Sequence, residues 1–325
     1  MMNDTPLNAS TPSVKNDWER GFIEKLAMEA LREQRLRRRW GIFFKFSFFA
    51  LILSGFYLFS DFGARDMENL GRHSALVEIN GAIESEGSGS AQAVIPALNR
   101  AFLDANSAGV ILRINSPGGS PVQAGMINDE IGRLRKEYPQ KHLYVVVDEM
   151  CASGGYYIAA AADKIFVNKA SVVGSIGVLM DGFGFTALME KAGVERRLMT
   201  AGENKGFMDP FSSHSEKQKA FSQAMLNDIH QQFIEVVRKG RGQRLKETPE
   251  TFSGLFWIGS KAVEMGLADG FGSIDSVARD VLKAEDIVDY SQKEGLPERV
   301  LKKFGASIGN GAISSIWKGS SPSLR

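Results

Sequence analysis

Beyond residue 73 the chain alternates short runs of β-branched and large apolar residues with longer stretches of helical composition. The segments "ALVEI" at 75–79, "GVILRI" at 109–114, "LYVVV" at 143–147, "KIFV" at 164–167 and "RRLM" at 196–199 read as strands. Between them, "AQAVIPALNRAF" at 91–102, "VQAGMINDEIGRLRKE" at 122–137 and the segment after Ser153 read as helices. This alternation predicts an α/β domain with a largely parallel sheet. Site residues in such sheets lie just past the carboxyl ends of strands. Two loops hold that position, "INSPGGSP" at 114–121 and the turn at Ser153.

The N-terminal part has a different pattern. Residues 1–16 are polar and read as disordered; "NDWERGFIEKLAMEALREQRL" then places Trp18, Phe22, Leu26 and Leu31 at helical spacing among charges. It predicts an amphipathic helix suited to a membrane surface or to a partner. The run at 41–59, "GIFFKFSFFALILSGFYLF", is apolar except for Lys45 and small polar residues. That is about the 20 residues a helix needs to cross the hydrocarbon layer. Arginines 32, 35, 37, 38 and 39 stand before it and Asp61, Asp66 and Glu68 after it. The positive flank stays cytoplasmic, so the expectation is an uncleaved, single-pass anchor in a bacterial inner membrane with the bulk of the chain periplasmic.

Composition changes this picture little. Acidic and basic residues number 38 and 39, which gives no support to a nucleic-acid partner. The single cysteine, Cys151, has no partner for an internal disulfide and no neighbouring base to activate it, so it reads as a small core residue.

The chemistry is concentrated in the two loops. Gly118 and Gly119 permit backbone angles closed to other residues, so that successive N–H groups can point at an oxyanion. Ser153 is followed by Gly154 at a helix start, where a backbone amide can stabilise charge on a carbonyl oxygen. Together they suit acyl transfer. A serine needs a base to take its proton. His73 follows the stem, His142 precedes a strand, and His214 and His230 belong to the region of a long charged helix; all four read as surface residues. A lysine can serve where the site is dry enough to keep its amine neutral. The candidate is Lys205 in "TAGENKGFMDPF", bracketed by Gly202 and Gly206 and flanked by Phe207, Met208 and Phe211. A helix is expected to start near "SSHSEK", with Ser213 and Glu216 as its capping box.

The motifs "INSPGGSP", "CASGGYYIAAAADKIFVNKASVVGSIGV" and "AGENKGFMDPF", in this order, resemble the signal peptide peptidase family of membrane-anchored Ser-Lys proteases over about 74–285. The resemblance implies a ClpP/crotonase-like fold of stacked ββα units behind one N-terminal transmembrane helix. It implies Ser153 as nucleophile, Lys205 as general base and Ser175 as the residue that orients the lysine. Gly154 with Gly118 or Gly119 would form the oxyanion hole. It further implies a ring of identical subunits in which serine and lysine come from adjacent protomers, with peptide substrates and neither metal nor cofactor. Two positions depart from the family pattern: Cys151 stands where alanine is usual, and Leu255 replaces an arginine often found there.

The expected organisation is a cytoplasmic segment at 1–40, the anchor at 41–59, a stem at 60–73, the protease domain at 74–285 and a glycine- and serine-rich tail at 286–325. The expected reaction is hydrolysis of remnant signal peptides, and of misfolded envelope proteins, through an acyl-serine intermediate. A crotonase-like acyl-CoA enzyme, a catalytically silent membrane scaffold and a histidine-dependent ClpP-like protease are the other readings of the same motifs.

Overall fold

The computed structural model describes residues 15–62 and 71–291. The polar leader up to residue 14, the stem at 63–70 and the tail from 292 lie outside these. The chain divides into two units, 1–70 and 71–325.

In the first unit Lys15–Phe62 forms one helix, α1, which joins the expected amphipathic segment and the apolar run without a break. Its described side chains are almost all exposed, among them Phe22, Leu26, Trp40, Phe46 and Leu51. Among the described residues no helix is long and apolar enough to cross a membrane. The side chains of 56–59, the end of the expected anchor, fall outside the described set.

The second unit runs β1 His73–Asn80, α2 Ala91–Leu103, β2 Ser107–Ser116, α3 Pro121–Glu137, β3 Leu143–Ala152, α4 Gly154–Ala159, β4 Lys164–Val167 and β5 Val172–Gly174. It continues with α5 Thr186–Lys191, α6 Glu216–Arg241, β6 Phe256–Ile258, α7 Gly259–Glu264, β7 Gly270–Phe271, a helical turn over Ile274–Ser276 and Val277–Leu282, and β8 Ile287–Asp289. The strands form one sheet in the order β6-β5-β3-β2-β1-β8, with β4 paired to β3 and β7 to β4. Every pairing is parallel except β5 with β6. Four of the five expected strands are present, and the fold is α/β as expected.

The central strands are buried on both faces, which is why β2 and β3 read as continuous apolar runs rather than alternating ones. One face carries the main core with α2, α3 and α4; the other carries a smaller cluster in which Ile111, Tyr144 and Val146 meet Val277, Ala278 and Leu282. Serines at the N-caps start two of the helices: Ser90 accepts from the Ala93 N–H, and Ser120 accepts from the Gln123 N–H just before Pro121.

The partition of β3 positions the site. Its first half pairs with β4, Tyr144 opposite Lys164, and its end pairs with β5, Ala152 opposite Gly174. Against β2 the register shifts between the pairs Ile114 to Val147 and Ser116 to Cys151, so β3 carries extra residues and bends. Ser153 stands at the end of this bent strand.

Three expectations need correction. "RRLM" is not a strand: Leu198 and Met199 are exposed and no sheet edge lies against them. Helix α6 starts two residues later than expected, capped by Ser215 with Gln218 in a complete capping box, because the turn closed by Ser212 on Asp209 holds the chain at the earlier serine. His73 is buried, not at the surface: it opens β1, and its Nε2 lies 2.9 Å from the Tyr290 hydroxyl. Tyr290 itself is buried just after β8, so the packed unit continues through 290.

Candidate active site

Ser153 is the single residue between β3 and α4, and its backbone occupies φ 51°, ψ −122°. That region is strained for a residue with a Cβ, at a cost of about 1–3 kcal/mol. The strain is held in place by main-chain bonds on both sides: the Ser153 N–H donates to the Gly174 carbonyl at 2.8 Å, and the Ser153 carbonyl accepts from the Tyr157 N–H at 3.0 Å. The hydroxyl makes no capping bond to α4. Ser153 lines a cavity of about 540 Å³.

The loop after β2 forms the opposite wall. Ile83 bonds to this loop through two contacts, its N–H donating to Gly118 and its carbonyl accepting from Ser120. In a parallel bridge of this kind the residue between those two turns its own N–H away from the partner, and that residue is Gly119. The Gly119 nitrogen lies close to Gly154: a Cβ placed on Gly154 would be 3.4 Å from it. The Gly118 N–H, by contrast, is taken by the Ser116 hydroxyl at 3.1 Å. Of the two expected glycines, Gly119 therefore keeps its N–H clear of both the Ile83 bridge and the Ser116 hydroxyl. Gly118 serves by its missing side chain, since a Cβ there would come within 2.6 Å of the Ser153 Cβ.

Ser175 lines the same cavity and also has a positive φ, 52°. Its turn follows Gly174, and its N–H donates to the Leu255 carbonyl at 2.7 Å. Position 255 thus contributes its main chain here, and the exposed leucine side chain is not needed for that contact. The remaining walls are mostly apolar: Pro121 and Ala124 from α3, Val178 and Leu179 after the Ser175 turn, Ile229 and Phe233 from α6. Tyr157 packs on Phe233 with ring centroids 5.1 Å apart, and burial raises its hydroxyl above the ordinary range. The contribution of α6 was not legible in the sequence, because Ile229 and Phe233 are spaced like any core-facing pair on a helix.

Lys205 is elsewhere. It is exposed, in a turn where its N–H donates to the Gly202 carbonyl, and it does not line the Ser153 cavity. The residues lining that cavity include no lysine, histidine, aspartate or glutamate. Asp209 in the same loop is held below the usual carboxylate range, first by the Ser212 hydroxyl and also by the Phe211 N–H and Arg196. Of the histidines, His142 and His214 are exposed, while His230 is half-buried on α6 with its Nε2 3.1 Å from the Ile176 carbonyl. Cys151 is fully buried beside the Ser153 turn, and burial pushes its thiol well up, away from reactivity. Among the described residues no group of three or more His, Cys, Asp or Glu is placed to hold a metal ion.

A serine on a strained strand-to-helix turn in an α/β sheet, with the Gly119 nitrogen close to Gly154 beside it, is an arrangement of the hydrolase type. Comparison with known proteins narrows the class. Residues 135–288 match the model of peptidase family S49. The chain is 30% identical over 199 residues to a putative protease of Synechocystis, matching 61% of this chain and 69% of that protein. It is 34% identical over 182 residues to a putative signal peptide peptidase of Enterococcus faecium, 56% of this chain and 52% of the relative. It is also 42% identical over 209 residues to a Na(+)/H(+) antiporter of Brucella abortus, a match that takes in 63% of this chain but 28% of that protein. The chain belongs to peptidase family S49, the family of the signal peptide peptidases. It spans about a quarter of the Brucella relative and about half of the Enterococcus one.

Proposed function

We propose that this protein is a membrane-bound serine endopeptidase in which Ser153 attacks a peptide carbonyl and Lys205 of a second copy acts as its base. The observation that carries the reading is the Ser153 turn: a strained, uncapped serine lining a cavity, with Gly154 next to it and the Gly119 nitrogen close by. In the attack the Ser153 Oγ bonds to the carbonyl carbon while its proton passes to the lysine amine, and the carbonyl oxygen, now an anion, accepts from the two amides. Collapse expels the amine, which takes the proton back from the lysine. Water then repeats the sequence to release the acid.

The cavity supplies no base of its own, and Lys205 is exposed. Supporting its delivery from a neighbour is the exposed apolar surface of the segment that carries it. Leu179, Phe183, Leu188 and Met199 are all more than 60% exposed, more than a soluble monomer ordinarily leaves uncovered in one segment. Between Ile176 and Phe233 no residue is buried. A second copy packed on this segment would cover it and would remove the lysine from water, the condition under which an amine can accept a proton near neutral pH. Ser175 would then accept from the amine and hold it towards Ser153.

The apolar walls favour small or apolar side chains beside the cleaved bond, suiting remnant signal peptides and unfolded envelope segments. The anchor belongs to the same reading: the exposed apolar stretch of α1 behind its arginines would sit in the inner membrane and leave residues 71–291 in the periplasm. The test is labelling of the detergent-solubilised full chain with a fluorophosphonate, read by intact mass. Labelling of wild type that is lost in both Ser153→Ala and Lys205→Ala supports the dyad. A correctly assembled protein that does not label would leave a scaffold or a thioester enzyme as the better account.

A further inference from the structure

The turn that carries Ser175 runs over residues 174–177, has positive φ at Gly174 and Ser175, and is tied to the rest of the fold at Gly174, Ser175 and Ile176. Gly174 has φ 114° and its carbonyl accepts from the Ser153 N–H. Ser175 donates its N–H to Leu255, and its carbonyl accepts from the Gly177 N–H at 2.9 Å, closing a tight three-residue turn. Between them Ile176 is fully buried and anchors the turn in the core. Its carbonyl points the other way, to α6, and meets His230 Nε2 at 3.1 Å. A carbonyl oxygen can only accept, so Nε2 carries the hydrogen and the imidazole is the donor. Among the described hydrogen bonds this is the one that a side chain makes to residues 174–177.

We propose that His230 is a positioning residue of the active site, holding the Ser175 turn at its catalytic angle through the Ile176 carbonyl. The inference rests on the role given to Ser175 above. His230 stands on the same helix as Ile229, Gln232 and Phe233, which line the cavity, so α6 forms the substrate wall and fixes the turn opposite it with one imidazole. The turn needs such a tie. A left-handed residue other than glycine reverts to ordinary angles unless its surroundings over-determine it, and beside the main-chain bonds just described and the burial of Ile176, His230 supplies the side-chain bond to this turn. Relaxation there would also reach the nucleophile, because the Gly174 carbonyl and the Ser153 N–H are bonded to each other. His230 touches neither Ser153 nor Ser175 by any hydrogen bond among the described ones, so its action is indirect.

The test uses the full chain in detergent and three variants. His230→Phe and His230→Leu keep bulk and lose the donor; His230→Gln keeps an amide N–H near the place of Nε2. Hydrogen exchange of the segment 172–178 and peptide hydrolysis are measured on each. The expected result is exchange about tenfold faster in the Phe and Leu variants, with segment 110–116 unchanged. With it, kcat falls about tenfold while KM stays within about twofold, the signature of misplacement rather than lost binding. The Gln variant should restore both. Exchange at 172–178 that stays at the wild-type rate in Phe and Leu overturns the proposal, as does a Gln variant as fast as Phe. A purely structural role would instead speed exchange throughout the unit. If wild type hydrolyses no peptide, or Ser153→Ala hydrolyses as well as wild type, the protease reading fails while the exchange data still decide the role of His230.

Discussion

At the residue scale, the site is made by side chains that are missing as much as by those present. Gly119 approaches Ile83 so closely that a Cβ would lie 2.1 Å from the Ile83 carbonyl oxygen. Gly119→Ala must therefore shift the loop; on the proposed reading its amide serves the oxyanion, and misplacing one such donor costs about 10²–10³ in kcat. The expected outcome is a loss of that size in peptide hydrolysis. Gly125→Ala is the matched control, since nothing lies within 4 Å of the Cβ it adds on α3. It should leave kcat unchanged and raise stability by up to about 1 kcal/mol, seen in urea melts. Ser153 was legible as the residue between a strand and a helix, though its strained, uncapped backbone was not. The choice between Gly118 and Gly119 was not, since it depends on the Ser116 hydroxyl taking one of two adjacent amides. His230 was misread as a surface residue because a histidine among charges on a long helix gives no sign of the carbonyl it meets 54 positions away in sequence.

At the scale of elements, the parallel strands were legible from composition because their burial on both faces leaves continuous apolar runs. Helix α6 shows where pattern alone falls short. The capping-box spacing occurs twice, at Ser213 with Glu216 and at Ser215 with Gln218, and the preceding turn selects the second. Ser215→Ala should cost about 1 kcal/mol in urea unfolding, while Ser213→Ala should change stability by less than about 0.5 kcal/mol. The other end of α6 is pinned by Arg241, whose side chain is fully buried and donates to Asp269 at 2.8 Å and to the Gly266 carbonyl at 2.8 Å. Burial pulls the Asp269 carboxyl up, but the Arg241 hydrogen bond and charge, the Ile165 N–H and Arg244 outweigh it and hold the group below the usual aspartate range. A depressed folded value adds stability that is complete above the unfolded pKa of about 3.9 and is lost as pH falls below it through the folded value. Acid unfolding of wild type should carry this slope, and Asp269→Asn should lack it. By leaving a buried guanidinium without its charge partner, the same variant should lose roughly 3–5 kcal/mol at neutral pH.

For the whole molecule, the described structure leaves a protease-like cavity without a base and a long exposed apolar segment without a core of its own. The first was expected from the family resemblance, which implies that serine and lysine come from adjacent protomers; the second was not legible in sequence. The loop around Lys205 has the glycines and aromatics of a buried site, and its exposure in a single chain emerges only in the fold. On the proposed reading one account covers both features: the sites are completed when copies assemble. Activity per chain should then fall on dilution as assemblies dissociate, in parallel with the loss of the larger species in sedimentation.

The most direct measurement mixes two inactive proteins. Ser153→Ala chains keep Lys205, Lys205→Ala chains keep Ser153, and neither alone should hydrolyse peptide. Co-assembled at equal amounts, they are expected to recover a fraction of wild-type activity, because some interfaces pair an intact serine with an intact lysine from the neighbour. No recovery in a preparation shown by mass to contain mixed assemblies would contradict a site shared between subunits.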